Sequence, residues 1–233
     1  AYGRQWFQRM ELGYMVLVIT FLEVSAVAFI LIILPLLLKR KALQPDRNTL
    51  ATFLHFAGIG FGFMLLEMVY IQQFTKFMGD PIYSVAAALT AILVFAGLGS
   101  YSQKYISMIP QKRIRIATVA LFAITLFYLL ALNSILQLFI PLGTALRFGI
   151  TVVFLMPPAF FMGWFFPAGI ALVESRRSSL IPWAWGVNGF ASVSAAPLAV
   201  ILSMEFGFAT TILIALGCYA ITSVTSWLWH ESG

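Results

Sequence analysis

The sequence predicts an all-α fold, a polytopic membrane helix bundle of about seven transmembrane helices. Hydrophobic residues make up 61% of the 233 residues and charged residues only 9%. Soluble domains carry about 25% charged residues, so a chain this apolar belongs in a lipid bilayer. Its apolar runs are continuous rather than alternating, which favours helices over membrane strands because each helix satisfies its own backbone hydrogen bonds.

Seven apolar runs are each long enough to cross a membrane as a helix, since about 20 residues span a hydrocarbon core about 30 Å thick. They lie at about 14–38, 50–73, 82–102, 116–134, 148–173, 181–203 and 207–229. The stretch 135–149 is also apolar, but it is short and interrupted by Pro141 and Gly143. It is typical of an interfacial turn or half-helix, not of an eighth span.

Two domains are predicted: an interfacial N-terminal segment at 1–13 and a transmembrane helical domain at 14–233. Residues 1–13 mix polar, basic and aromatic side chains, with Trp6 and Phe7 between Arg4 and Arg9. Such side chains favour the membrane–water interface. Because the chain opens on Ala1 and shows no signal-peptide pattern, we expect a processed protein or the C-terminal part of a longer one.

Basic residues are distributed unevenly between the connections, and this predicts the orientation. Ten of the fourteen lysines and arginines fall after the first, third and fifth predicted spans. The positive-inside rule places those connections in the cytoplasm. The net charge of +6 reflects this bias. No basic stripe interleaved with aromatic residues lies outside the spans, so a lipid bilayer is the expected partner and a nucleic acid is not.

No metal or cofactor is expected from the chemistry-bearing residues. The single cysteine, Cys218, lies within the last span, and the only histidines are His55 and His230. Metal centres need several ligands, and no nucleophile–base constellation is present. We therefore expect no independent catalytic activity.

Residues 58–62 read GIGFG, which raises the possibility of a nucleotide site. A dinucleotide fingerprint requires a third glycine where this chain has Phe63, and it requires a strand before the turn. Gly58 and Gly62 instead lie four apart within a transmembrane run, which favours close helix packing. The other small residues predicted to pack helices are Gly97, Gly99, Gly186, Gly189 and Ser192.

Four polar residues inside the apolar runs are candidate functional groups: Glu67, Gln72, Glu23 and Asn188. A charge at mid-bilayer costs about 2.5 kcal/mol or more, so such groups usually face a bundle interior or a cavity. Glu67 is either a hydrogen-bonded link between helices or a group that handles a proton or a solute. Glu23 has the same two interpretations, and Asn188 is expected to bond between helices.

Three prolines, Pro157, Pro158 and Pro167, interrupt the fifth predicted span. A proline inside a helix removes a backbone hydrogen bond and frees a carbonyl, which can either line a cavity or make a passive kink. The sequence favours the passive kink.

Residues 56–100, with FMGWFFPAGI at 161–170 and IPWAWGVNGFASV at 181–193, resemble multi-pass bacterial membrane proteins of the spermidine-synthase-like family. The resemblance covers about residues 50–229 and implies a location in the bacterial inner membrane. Asp80 departs from it, since the family more often has histidine there. The pattern falls on Gly60, Gly62, Glu67, Gln72, Gly79, Pro81, Gly97, Gly99, Gly163, Pro167, Gly169, Pro182, Trp183, Trp185, Asn188 and Gly189.

In that family a membrane bundle is joined to a soluble aminopropyltransferase-like domain that uses decarboxylated S-adenosylmethionine. The present chain shows no strand, glycine loop and helix unit for such a domain, so aminopropyl transfer is not expected of it. Three function classes remain. The chain is a non-catalytic membrane subunit or anchor within a larger complex, which we favour; a transporter of a small cationic or hydrophobic solute; or the membrane half of an enzyme whose catalytic domain lies elsewhere.

Overall fold

A computed structural model of the protein describes residues 2–38 and 46–229, with side chains from Leu12 onward. The predicted cytoplasmic residues Lys39, Arg40 and Lys41, and also His230, lie outside the described residues. Within those ranges the chain is helical and contains no strand. The principal helices are α1 (Tyr2–Ala28), α2 (Leu34–Leu38), α3 (Arg47–Met78), α4 (Pro81–Ser102), α5 (Pro110–Gln137), α6 (Thr144–Arg177) and α7 (Ile181–Leu228).

Short helical turns join several of these helices. A π-helical turn at Phe29–Ile33 links α1 to α2 without a break, and 3₁₀ turns follow α4 at Gln103–Tyr105 and α6 at Ser178–Leu180. The helix that begins at Tyr2 runs through the predicted 1–13 segment into the first apolar run. The connection between α5 and α6 is shorter than the predicted 135–149 segment, because α6 already begins at Thr144.

The ends of α3 and α4 follow from local sequence. Asp46 precedes α3 and accepts a hydrogen bond from the Thr49 backbone N–H at 2.8 Å. The helix ends at Gly79, whose φ of 75° is a left-handed conformation that glycine adopts without a Cβ clash. Asp80 then caps α4 by accepting from Ile82 N at 2.8 Å, and Pro81 occupies the first helical turn.

Five helical stretches are long and apolar enough to cross a membrane, in the part of the chain that the structure describes: Leu12–Leu38, Arg47–Met78, Pro81–Tyr105, Pro110–Gln137 and Thr144–Leu228. The first four contain the first four predicted spans. The last three predicted spans all fall within the fifth stretch, which is 85 residues long.

Two backbone irregularities divide that long stretch. Arg177 has φ −159° and ψ 82°, at the end of α6. Gly207 has φ 81° and ψ 167°, a non-helical conformation within α7. The Ser203 hydroxyl lies 3.3 Å from the Thr211 hydroxyl across Gly207, so the two halves of α7 bend towards each other there.

Helix α3 lies at the centre of the bundle, and α1 lies at its edge. Both halves of α7 pack on α3, since a Cβ added at Gly60 would meet Asn188 O at 2.6 Å and one at Gly58 would meet Cys218 O at 2.8 Å. Within the most apolar window of α3, 61% of the residues are buried. Within the corresponding window of Leu12–Leu38, only 6% of the residues are buried. Most of the surface of α1 is therefore not covered by the described residues.

Candidate functional site: intramembrane polar groups

Glu67 lies in the middle of α3 and is buried, with 5% of its surface exposed. Tyr70 follows it by one helical turn on the same face, and both lie within electrostatic range of Tyr219 on α7. No described residue forms a hydrogen bond with Glu67. The Tyr219 hydroxyl is also buried without a hydrogen-bond partner among the described residues. A carboxyl group and two phenols thus form a polar cluster inside the bundle.

The cluster continues into α5 through Tyr70, whose hydroxyl lies 3.2 Å from the Thr125 hydroxyl. Gln72 does not share the face of Glu67, because five residues turn an α-helix by about 140° beyond one full turn. Its amide nitrogen is buried without a partner in the described structure. The structure therefore groups Glu67 with two tyrosines and a threonine, not with Gln72.

A second polar feature is a groove of about 350 Å³ between α3, α4, α6 and α7. Asn188 and Ser192 of α7 line it, together with Gly163 and Pro167 of α6. The Asn188 side-chain oxygen is buried and has no hydrogen-bond partner among the described residues. Pro167 has no N–H, so the Gly163 carbonyl lacks its usual intrahelical bond. The groove thus contains acceptors without matching donors.

The other prolines of α6 have a different effect. Pro158 removes the intrahelical bond of the Phe154 carbonyl, and the Tyr128 hydroxyl donates to that carbonyl at 2.7 Å. This bond ties α5 to α6, so Pro158 has a packing role while Pro167 lines a groove. The sequence shows the proline but not the tyrosine that compensates for it.

Glu23 lies apart from Glu67, on α1, and its side chain is exposed. It lines a groove of about 420 Å³ with Val27, Ala28 and Val193 of α7. Pro197 lies four residues after Val193, so the Val193 carbonyl lacks its intrahelical partner. The two glutamates do not line one cavity, because Glu67 is not among the residues of this groove.

Gly58 and Gly62 lie on the face of α3 that packs on the second half of α7. A Cβ at Gly58 would lie 2.5 Å from Thr222 Oγ1 and 2.8 Å from Cys218 O. A Cβ at Gly62 would lie 2.9 Å from Tyr219 Cε2. The GIGFG stretch therefore lies inside a helix, at a close crossing.

A second close crossing joins α4 and α6. A Cβ at Gly99 would clash with the Phe160 carbonyl, and one at Gly163 with the Ala96 carbonyl. Gly97, by contrast, has no described atom within 4 Å of its Cβ position and is exposed. Two glycines only two residues apart, Gly97 and Gly99, thus have opposite environments.

The small residues of α7 face α2 and the groove. A Cβ at Gly186 would clash with Leu36, whereas one at Gly189 would lie 3.8 Å from Ile32 Cδ1, an ordinary contact. Ser192 lines the 350 Å³ groove.

His55 is a group whose role the sequence does not reveal. It is fully buried, and its Nδ1 lies 2.9 Å from the Thr222 carbonyl oxygen and 3.1 Å from Thr225 Oγ1. A carbonyl only accepts, so Nδ1 carries the proton and donates. The indole of Trp229 lies beside the ring at 4.9 Å between centroids. His55 therefore joins α3 to the end of α7.

No group of three or more histidines, cysteines or acidic residues that could hold a metal ion occurs within 2–38 and 46–229. No protein-family model, curated protein or solved structure matches the chain.

Proposed function

We propose that the chain is a non-catalytic integral membrane subunit that assembles with another membrane protein through the outer face of α1. The observation that carries the proposal is the exposed carboxyl group of Glu23. It lies near the middle of Leu12–Leu38, a helical stretch long and apolar enough to span a membrane.

The energetic argument concerns what surrounds Glu23. A carboxylate facing lipid at mid-helix costs about 2.5 kcal/mol or more, and this chain supplies no described donor to offset it. The neighbouring Val193 carbonyl is a second acceptor without its helical partner. A transmembrane helix with a basic or amide side chain would satisfy both acceptors and cover the apolar face of α1. Large side chains on that face, such as Met15, Ile19 and Leu31, are 48–69% exposed.

The proposal is tested by photo-crosslinking in the native membrane. A photoreactive residue at Val27 should crosslink to a second membrane protein, and Glu23→Leu should abolish that adduct. The same probe at Leu130, an exposed residue of α5, gives the background. Glu205→Leu removes an acidic residue that is also exposed but lies near the irregularity at Gly207, and it should leave the adduct intact.

The isolated chain provides the complementary measurement. In mild detergent, Glu23→Leu should leave the protein as stable as the wild type or more stable, because Glu23 makes no contact that this fold needs. An adduct that survives Glu23→Leu, or a Val27 probe that captures no protein, would contradict the proposal.

We further propose that the chain crosses the membrane seven times, with its basic connections in the cytoplasm of a bacterium. A straight helix of 85 residues would be about 130 Å long, several times the bilayer thickness. The irregularities at Arg177 and Gly207 are suitable positions for the chain to reverse. In a Cys218→Ala background, a cysteine at Arg176 should resist an impermeant thiol reagent in intact cells, while one at Ile140 should react.

A second candidate function, binding and transport of a small cationic or hydrophobic solute, is supported by the Asn188 groove. The three stretches that carry the spermidine-synthase-like resemblance meet there, at Gly60, Gly163 and Asn188. The unpartnered Asn188 oxygen and the Gly163 carbonyl would accept hydrogen bonds from an ammonium group.

A thermal-shift titration with spermidine and with a hydrophobic ammonium ion tests this second function. We expect stabilisation of the wild type that Asn188→Leu removes. Ser102→Ala, a change outside the groove, should retain it. No shift with either cation would count against solute binding and would leave the subunit proposal intact.

A further inference from the structure

A groove of about 640 Å³ lies between α5 and the end of α7. Its apolar wall consists of Ile116, Val119, Ala120 and Ala123 of α5, and Trp227 forms the opposite side. Lys112 and Arg115 lie at one end. We propose that this groove binds one anionic phospholipid, with the phosphate at Lys112 and Arg115 and an acyl chain along the apolar wall.

The spacing of the residues makes the groove a continuous stripe. Lys112, Arg115, Val119 and Ala123 follow one another at three or four residues, which places them on one face of α5. The distance along the helix from Lys112 to Ala123 is about 16 Å, close to the thickness of one leaflet. The basic end therefore lies at headgroup level when the alanine end reaches the bilayer centre.

The charges at the basic end are free to bind a ligand. Neither the Lys112 side chain nor the Arg115 side chain forms a hydrogen bond or an ion pair with any described residue, and both residues are exposed. The nearby basic residues are engaged within the protein. Lys104 lies 3.4 Å above the Tyr101 ring, and Arg113 donates to the Met108 carbonyl at 2.8 Å.

The side chains, and not the helix terminus, supply the recognition. The backbone N–H groups of Lys112 and Arg113 already bond to Ile109 O at 3.1 and 3.2 Å. A phosphate placed between Lys112 and Arg115 would reduce the electrostatic repulsion between these two cations. Trp227 is a tryptophan, a residue type that favours the membrane–water interface. The small side chains of Ala120 and Ala123 leave the space that an acyl chain would fill. This binding site does not depend on the partner proposed for α1.

Trp227 reports lipid contact directly. The protein is reconstituted into phosphatidylcholine vesicles containing a fixed fraction of brominated phosphatidylglycerol or brominated phosphatidylcholine, and tryptophan quenching is measured. Trp227→Phe gives the background from the other tryptophans. We expect the anionic lipid to quench Trp227 at a lower mole fraction than the neutral lipid.

Three variants separate the parts of the proposal. Lys112→Gln and Arg115→Gln should each lower the preference for the anionic lipid about fivefold, and the double variant about thirtyfold. Lys104→Gln is the matched control and should retain the preference. Ala123→Phe fills the apolar wall and should reduce quenching by both lipids.

Each other outcome overturns the proposal. An equal loss in Lys104→Gln would show general surface attraction instead of a site. A preference that is unchanged in the Lys112→Gln, Arg115→Gln double variant would show that these cations do not hold the phosphate. Unchanged quenching in Ala123→Phe would show that the acyl chain does not lie in the groove. No quenching of Trp227 by either lipid would show that something other than lipid covers Trp227.

Discussion

Replacing Gly58 by alanine tests the close crossing between α3 and the second half of α7. The added Cβ would lie 2.8 Å from Cys218 O, whereas an ordinary contact is 3.4–4 Å, so the helices must separate by about 0.6 Å. A gap of that size forfeits about a quarter to a half of each pairwise dispersion contact. Overpacking of this kind costs about 1–3 kcal/mol.

Gly97→Ala is the matched control, because no described atom lies within 4 Å of its Cβ position. Both changes gain about 1 kcal/mol of helix propensity, so their difference isolates the steric cost at Gly58. For a chain of this size, a change of 1 kcal/mol in the free energy of unfolding shifts the Tm by about 2–4 °C. Thermal unfolding in mild detergent should therefore give a Tm about 2–12 °C lower for Gly58→Ala than for Gly97→Ala.

Larger substitutions extend the same reasoning. Gly58→Leu and Gly62→Leu should destabilise the bundle further, since no large side chain fits where the Tyr219 ring and the Cys218 carbonyl already lie. A Gly58→Ala protein as stable as Gly97→Ala, or either leucine variant with the Tm of the wild type, would refute the close crossing.

Three further predictions concern single polar groups. Glu67→Gln should leave both the fold and assembly with the partner intact, because it keeps hydrogen-bonding capacity at nearly the same volume; a folded variant that fails to assemble would show that the carboxyl must ionise. Tyr128→Phe should destabilise the protein by about 1–3 kcal/mol in a chemical unfolding experiment, since the Phe154 carbonyl is left without a donor; no change would show that water replaces the hydroxyl. The Thr49 backbone N–H holds the pKa of Asp46 below its ordinary 3.8, so its stabilisation is present above that pH and is lost as the pH falls through the lowered pKa. Asp46→Ala should therefore cost about 1 kcal/mol near neutral pH and less at strongly acid pH in a stability–pH profile, and a pH-independent difference would contradict a cap by the ionised carboxylate.

Composition and local pattern were sufficient to predict helices that are long and apolar enough to cross a membrane. Apolar runs of about 20 residues require helices wherever lipid surrounds the backbone, so the prediction needs no tertiary information. The start of α4 is set by local interactions that did not enter the sequence-based prediction, since the Asp80 side chain accepts from backbone N–H groups within three residues and Pro81 lies in the first turn. The GIGFG residues lie inside α3, as their position within an apolar run predicts.

The number of separate helices was not determined by hydropathy alone. The last three predicted runs belong to one continuous helical stretch, because a helical turn at Ser178–Leu180 and an irregular glycine at Gly207 replace longer loops. Hydropathy measures apolar length but does not distinguish a tight helical corner from a loop. The family resemblance and the function classes remain predictions.

The environment of each polar side chain was decided by tertiary structure. Glu23 and Glu67 are the same residue type in similar apolar runs, yet Glu23 is exposed on α1 and Glu67 is buried in α3. Gly97 and Gly99 are two residues apart, and only Gly99 lies against another backbone. A transmembrane sequence is apolar on its lipid face and on its protein face alike. Hydrophobicity therefore indicates that a residue lies in the membrane, and only the packing of helices distant in sequence decides which face it occupies.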